Sequence, residues 1–237
     1  VLGFDSYADL AGHLDAVLAG HRPAAHVPVD RRTLTARAPA ERAPAGPRVP
    51  VALPVIAADT SAALRPGTPE IIRWRLDDRP WAPVKLASGC DRRCSFCAIP
   101  SFRGSFVSRP PEEVLAEARW LAGRGVRELF LVSENSTSYG KDLGDLRLLE
   151  RLLPELAAVE GVRRVRVSYL QPAELRPALV EAIATTPGVA PYFDLSFQHA
   201  APGVLRRMRR FGGTEAFLTL LGAVRSLAPT AGARSNV

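Results

Sequence analysis

The run Gly89-Cys90-Asp91-Arg92-Arg93-Cys94-Ser95-Phe96-Cys97-Ala98-Ile99-Pro100 decides how this chain is read. It holds all 3 cysteines of the 237 residues, spaced C-x3-C-x2-C. An odd count cannot pair off internally, and three thiolates on one short loop suit a metal centre. Soft thiolates select zinc, copper(I) or an iron-sulfur cluster. A cubane cluster takes four thiolates, one per iron. Three would leave one iron open to a small molecule, as catalytic metal sites keep a position that structural sites close. Two plainer readings stand beside this one: a structural zinc that recruits a distant fourth ligand, for which His199 is available, and three inert thiols that are neighbours in sequence only.

Outward from the loop, strand-like and helix-like stretches alternate, which predicts an α/β fold with a parallel sheet. Strands are expected at 84–87, 126–132, 162–168 and 192–197, with a fifth opening at 233–237. Pro110 and Pro111 followed by Glu112 and Glu113 make a favourable first helical turn, and Val114, Leu115, Ala118, Leu121 and Ala122 supply one apolar face before Gly125 stops the helix. Further helices are expected over 146–158, from Pro172 to Thr185 with Pro177 near the true start, over 202–210, and over 214–227. Upstream, Leu10, Leu14, Val17 and Leu18 fall at helical spacing within the first twenty residues. Between Pro23 and Pro83 lie eleven of the 21 prolines without sustained periodicity, which reads as a linker or extended arm. Val51 to Ile56 is a candidate short strand inside it.

The stretch Val84-Lys-Leu-Ala-Ser-Gly89, the cysteines, and Ile99-Pro-Ser-Phe-Arg-Gly104 together resemble the radical S-adenosylmethionine superfamily, which carries C-x3-C-x2-C with an aromatic residue, here Phe96, just before the last cysteine. The resemblance implies that Cys90, Cys94 and Cys97 ligate a 4Fe-4S cluster whose open iron chelates the amino and carboxylate groups of S-adenosyl-L-methionine. Reduction would then cleave the sulfonium to a 5'-deoxyadenosyl radical. The implied fold is a partial parallel barrel of six strand-helix units, of which this chain would cover about two-thirds and be truncated in the fifth strand.

Residues beyond the cysteines narrow the resemblance. Arg103-Gly104, Ser108-Arg109-Pro110 and Leu131-Val-Ser-Glu-Asn-Ser-Thr-Ser-Tyr-Gly140 resemble the methylthiotransferases. Tyr192-Phe-Asp-Leu-Ser-Phe-Gln-His-Ala200 and Leu205-Arg-Arg-Met-Arg-Arg210 look most like their RimO type, for which the implied substrate is a small-subunit ribosomal protein whose aspartate gains a methylthio group on its β-carbon. The tRNA-modifying MiaB type shares the cysteine loop and remains an alternative, as does a non-catalytic binding module stabilised by a metal. On this resemblance 1–22 is the C-terminal edge of an upstream domain, 23–83 the linker and 84–237 an incomplete radical core. The upstream domain would bring three more cysteines and a second 4Fe-4S cluster that this chain does not ligate, and a C-terminal TRAM domain would follow. A flavodoxin- or ferredoxin-type reductant is implied, and contact with ribosomal RNA is open.

Individual roles follow from the same resemblance, each beside a plainer reading. Phe96 either packs near the adenine or is an ordinary core residue. Ser133 and Glu134, just past the second strand, either bind the ligand's amino group or belong to a capped, solvated loop. Gln198 and His199 end the fourth strand, where ligand and substrate residues gather in such folds, although His199 reads equally as an ordinary histidine. Arg234 pairs either with the methionyl carboxylate or with a structural acid. Arg206, Arg207, Arg209 and Arg210 read as a solvated helix face in preference to an RNA surface.

Composition bounds these expectations. At 47% hydrophobic the chain can bury a sizeable core. No apolar run approaches the roughly 18 residues of a membrane span, the N-terminus lacks a signal-peptide pattern, and free thiolates imply a reducing, cytoplasmic compartment. The net charge of +7 admits acidic partners such as nucleic acid or a ribonucleoprotein. Yet Arg supplies 29 of the 31 basic residues of an Ala-rich chain, and coding bias alone yields both features.

Overall fold

Alternating exposed and buried positions from Trp81 to Lys85 make the first strand, β1 (Trp81–Lys85), with Ala82 and Val84 turned inward. The computed structural model describes residues 10–22, 75 and 77–236. After β1 come β2 (Ala87–Ser88), α2 (Ile99–Arg103), β3 (Val107–Ser108), α3 (Pro111–Gly123), β4 (Glu128–Val132), α4 (Leu148–Ala157), β5 (Arg164–Val167), α5 (Pro177–Thr185), β6 (Tyr192–Leu195), α6 (Pro202–Arg207), α7 (Thr214–Leu227) and β7 (Gly232–Ser235). A separate helix, α1 (Leu10–Leu18), lies within the expected N-terminal amphipathic stretch. The candidate strand at 51–56, and nearly all of the stretch read as a linker, lie outside the described residues.

Strands β1, β4 and β5 form one parallel sheet in that order, and β6 and β7 form a parallel pair. Single parallel bridges from Val165 to Val189 and from Leu170 to Leu195 join the two groups. Five strands therefore run one way, and their C-terminal ends share an edge, where ligand sites of α/β folds gather. Strands buried on both faces read as apolar runs: Leu129, Leu131, Val165, Val167, Phe193 and Leu195 are all fully buried. The face expected for α3 is buried as predicted, from Val114 and Ala118 at 0% exposure to Leu115 at 9%.

Several bounds differ from the sequence reading. The expected strand 84–87 is split: β1 starts at Trp81, and Ala87–Ser88 turns away as β2 to pair antiparallel with β3. Pro83 hid the start because proline reads as linker, yet β1 is an edge strand of its sheet, where a missing N–H is tolerated. The stretch from Pro172 begins as one 3-10 turn, and the α-helix starts at Pro177. Helix α6 ends at Arg207 rather than at 210, because Arg209 takes a left-handed φ of 57°. The amide of Arg210 donates to Leu205 O and that of Arg209 to Arg206 O, the paired bonds of a Schellman stop. The short α2 and β3 carry too few residues for a periodicity and were not expected.

Candidate functional site

The cysteine loop spans the gap between β2 and α2 and is fixed at both ends by backbone contacts. Cys90 N–H donates to Gly104 O at 3.1 Å, and Phe106 N–H to Asp91 Oδ1 at 3.1 Å. Gly89 sits at φ +84°, and a Cβ there would stand 2.1 Å from Ser105 O, so only glycine lets the two segments approach. Inside the loop Cys97 N–H donates to Cys94 O at 3.2 Å, a tight turn that brings these two residues together. All three cysteines are free thiols and half-buried.

Donors point at the sulfurs. Arg92 N–H donates to Cys90 Sγ at 3.4 Å, and Arg210 Nη1 reaches Cys94 Sγ at 3.7 Å. Burial pushes the Cys90 thiol up, as do the neighbouring Cys94, Cys97 and Asp91 charges, while the Arg92 N–H opposes them. Thiolate ligation by a metal overcomes that preference by displacing the proton. His199 is exposed, and its Nδ1 accepts the Ala201 amide at 2.9 Å. Among the described residues no three His, Cys, Asp or Glu side chains converge as a single ion requires. A cubane asks for less convergence, since each thiolate takes its own iron, and three thiols with inward N–H donors fit that group.

The strand ends close around the loop. Past β4, Glu134 is ion-paired to Arg103 of α2, while its buried Oε2 has no partner among the described residues. Past β5, Glu174 accepts from Asn135 Nδ2 at 2.7 Å and Ser138 Oγ at 2.8 Å, and pairs with Arg92 of the loop. Burial raises the Glu174 carboxyl, but the bonds from Asn135 and Ser138 and the Arg92 guanidinium outweigh it and hold it below its ordinary value. Asp91, Arg92, Phe106, Asn135, Ser138, Lys141 and Glu174 line a cavity of about 180 Å³ beside the loop. A larger hollow, about 750 Å³, opens among Arg119, Arg127, Glu155 and Gly161, near the starts of β4 and β5. Its lining holds neither cysteine nor histidine.

Each residue singled out from sequence has a definite place. Phe96 is 52% exposed, so it is not a core phenylalanine. Ser133 is buried, with its Oγ near Ser136 Oγ at 3.1 Å and accepting Asn135 N–H at 3.1 Å. Gln198 takes φ +70°, and its backbone N–H donates to Asn236 O at 2.9 Å. Arg234 donates to Asp194 Oδ1 at 2.9 Å, the structural ion pair of its two readings. Arg206, Arg207 and Arg209 are exposed as a solvated face would be, but Arg210 is 8% exposed, a correction to the four-arginine face. The Schellman stop turns it inward. Sequence reasoning missed Arg92, Asn135, Glu174, Asp194 and Arg210. Glu174 was discoverable as an acid just past a parallel strand; Arg210 carried no signal.

Three half-buried thiols at the C-terminal edge of a parallel sheet meet a family pattern here: that of the radical SAM superfamily matches residues 84–231. The chain belongs to the radical SAM superfamily. Among solved structures it is similar to the radical S-adenosylmethionine methyltransferase TsrM from Kitasatospora setae, with TM-score 0.51 and 17% identity over 65% of this chain and 30% of that one, a likeness of fold. Curated relatives are nearer. The chain is 67% identical, over its whole length, to ribosomal protein uS12 methylthiotransferase RimO of Kineococcus radiotolerans, and 65% identical to the proteins of that name from Nocardioides sp. and Saccharopolyspora erythraea. It covers 48%, 47% and 48% of those proteins, and so spans about half the length of the curated relatives it matches. Among the described residues no helix is long and apolar enough to cross a membrane.

Proposed function

We propose that this chain is the radical-generating part of a RimO-type methylthiotransferase, which adds a methylthio group to the β-carbon of an aspartate in ribosomal protein uS12. The observation that carries the reading is the 67% identity to a protein of that name across a chain whose three free thiols lie on one loop. Cys90, Cys94 and Cys97 would hold a 4Fe-4S cluster at the C-terminal edge of what would be a partial parallel barrel. Bound there, the cluster would supply the electron that reductive cleavage of S-adenosyl-L-methionine requires.

The chain's own residues position and shield. The unpartnered Oε2 of Glu134 is an acceptor for the ligand's ammonium group, since a buried carboxylate oxygen without a donor is costly. Arg103 holds the other oxygen and aims the carboxylate. Ser133 keeps this turn rigid through Ser136 and the Asn135 amide. Phe96 offers an exposed ring to the adenine face, and Gln198 a polar side chain at the end of β6. Arg234 stays with Asp194. In this reading a second 4Fe-4S cluster outside this chain would supply the sulfur, a flavodoxin- or ferredoxin-type donor would supply the electrons, and the setting would be the reducing cytoplasm.

The test uses the full-length protein, loaded with iron and sulfide, given S-adenosyl-L-methionine, a reductant and uS12. Mass spectrometry is expected to find one methylthio group on an aspartate of uS12, and none when Cys94 is replaced by Ala. Modification of tRNA with uS12 untouched would replace the RimO-type reading by the MiaB-type one.

A further inference from the structure

We infer that Tyr169, just past β5, is a contact residue for the protein substrate, and that its ring seats the segment to be modified at the edge that carries the cysteine loop. This rests on the uS12 reading above and goes beyond it by assigning a residue that governs recognition of that protein. Among the described residues three that are not glycine take a left-handed φ: Tyr169 at 58°, Gln198 at 70° and Arg209 at 57°. In Arg209 the conformation ends a helix. Tyr169 follows no helix; it stands between β5, which ends at Val167, and Leu170, which bridges to Leu195 of β6. A left-handed backbone crowds the Cβ against the following carbonyl oxygen, and for a bulky residue it is a true outlier. Glycine adopts the same angles without that strain. The position therefore holds a side chain that its backbone disfavours, and strain of this kind collects where ligands are clamped.

Neighbouring segments hold the strained residue from both sides. Its carbonyl oxygen accepts the Ser136 N–H at 3.0 Å, from the turn after β4, and its own N–H donates to Asp194 Oδ2 at 3.1 Å, on β6. Asp194 is buried, and its other oxygen accepts from Arg234 of β7 at 2.9 Å. On the far side Leu170 N–H donates to Asp194 O at 2.8 Å, and Ser196 N–H to Leu170 O at 3.0 Å. Ser168 and Leu170 are fully buried, whereas Tyr169 between them is 47% exposed. The left-handed step thus breaks the alternation that buries Val165 and Val167, and it leaves an aromatic ring in solvent on a fixed backbone. The same turn is fastened to the cysteine loop five residues later, where Glu174 pairs with Arg92. A tyrosine so held is an anchor for a protein partner, because it offers a large contact area with few rotamers left to freeze. Its ring packs against apolar groups of the incoming segment while the phenol keeps a polar tip.

The experiment compares the full-length, cluster-loaded wild type with Tyr169→Phe, Tyr169→Ala and Tyr169→Gly, with uS12 as the probe. Methylthiolation is followed by mass spectrometry over a range of uS12 and of S-adenosyl-L-methionine concentrations, and Tm by calorimetry. The KM for uS12 is expected to rise about tenfold in Tyr169→Ala and Tyr169→Gly, and to stay within about twofold of the wild type in Tyr169→Phe, which keeps the ring. The KM for S-adenosyl-L-methionine is expected to keep its wild-type value. Tyr169→Gly is expected to melt above Tyr169→Ala, because glycine alone relieves the left-handed backbone. Equal Tm values for these two would remove the strain on which the inference stands. An unchanged KM for uS12 in both ring-less variants overturns it, and so does an equal rise in the KM for S-adenosyl-L-methionine, which would place the ring at the cofactor. Failure of both to fold or to retain iron would make Tyr169 a packing residue, also against the inference. A wild type that cleaves S-adenosyl-L-methionine yet leaves uS12 unmodified would instead remove the uS12 reading, and the inference with it.

Discussion

Gly89 carries the tightest backbone constraint at the site. Its left-handed φ alone costs a side chain about 1–2 kcal/mol, and the 2.1 Å approach of Ser105 O adds an overlap that only backbone movement relieves. Gly89→Ala is therefore expected to destabilise the chain by about 2–4 kcal/mol and to loosen the first cysteine from the other two. Urea unfolding measures the first effect and iron retained after reconstitution the second. An alanine variant with the wild-type midpoint and full iron would show that the loop tolerates separation from Ser105. The two readings of Arg234 illustrate the same scale from the other side. Residue type alone leaves it a carboxylate clamp or an ion-pair member, and the structure pairs it with Asp194 on the adjacent strand β6.

At the level of elements, the cysteine loop is fastened to the turn after β5 by Glu174. It receives Arg92 from the loop and Asn135 and Ser138 from the turn after β4, so one carboxylate ties three segments together. With the side chain 27% exposed, Glu174→Ala is expected to cost about 1–2 kcal/mol at neutral pH. The pH dependence has a definite sign. The folded protein holds this carboxyl below its ordinary value of 4.5, so the native state prefers the ionised form. That contribution is complete above the ordinary value and is lost as pH falls through the lowered one. The stability gap between wild type and variant should therefore be constant near neutrality and close in acid below about pH 4.5. A gap that stayed constant into strong acid would remove the carboxylate from this role.

For the whole molecule, strand direction matters most. Five parallel strands bring the ends of β1, β4, β5, β6 and β7 to one edge, and the loop that bears the thiols leaves from that edge. A ligand that crosses several of these segments should stabilise all of them by mass action, by about 2.7 kcal/mol at a hundredfold excess over its dissociation constant. For a chain of this length that corresponds to a rise in Tm of about 5–10 °C. Reconstitution with iron and sulfide is expected to produce it in the wild type, followed by differential scanning calorimetry, and not in Cys94→Ala. Equal Tm values with and without the cluster would mean that the three cysteines lie outside the cooperative unit.

The sequence by itself determined the α/β class, the run of strands and helices from β4 onward, and the three thiols, because each is written locally. Apolar periodicity, proline at helix starts and cysteine spacing need no distant partner to be read. The antiparallel turn of β2 onto β3, the edge position that excuses Pro83, the Glu174 fastener and the inward turn of Arg210 were decided only by tertiary structure. Each depends on groups far apart in the chain, such as Arg92 with Glu174 or Cys94 with Arg210, whose meeting follows from the packing of the parallel strands. Four arginines in five residues look alike as text. A single left-handed residue, Arg209, sends one of them into the interior and leaves the others in water.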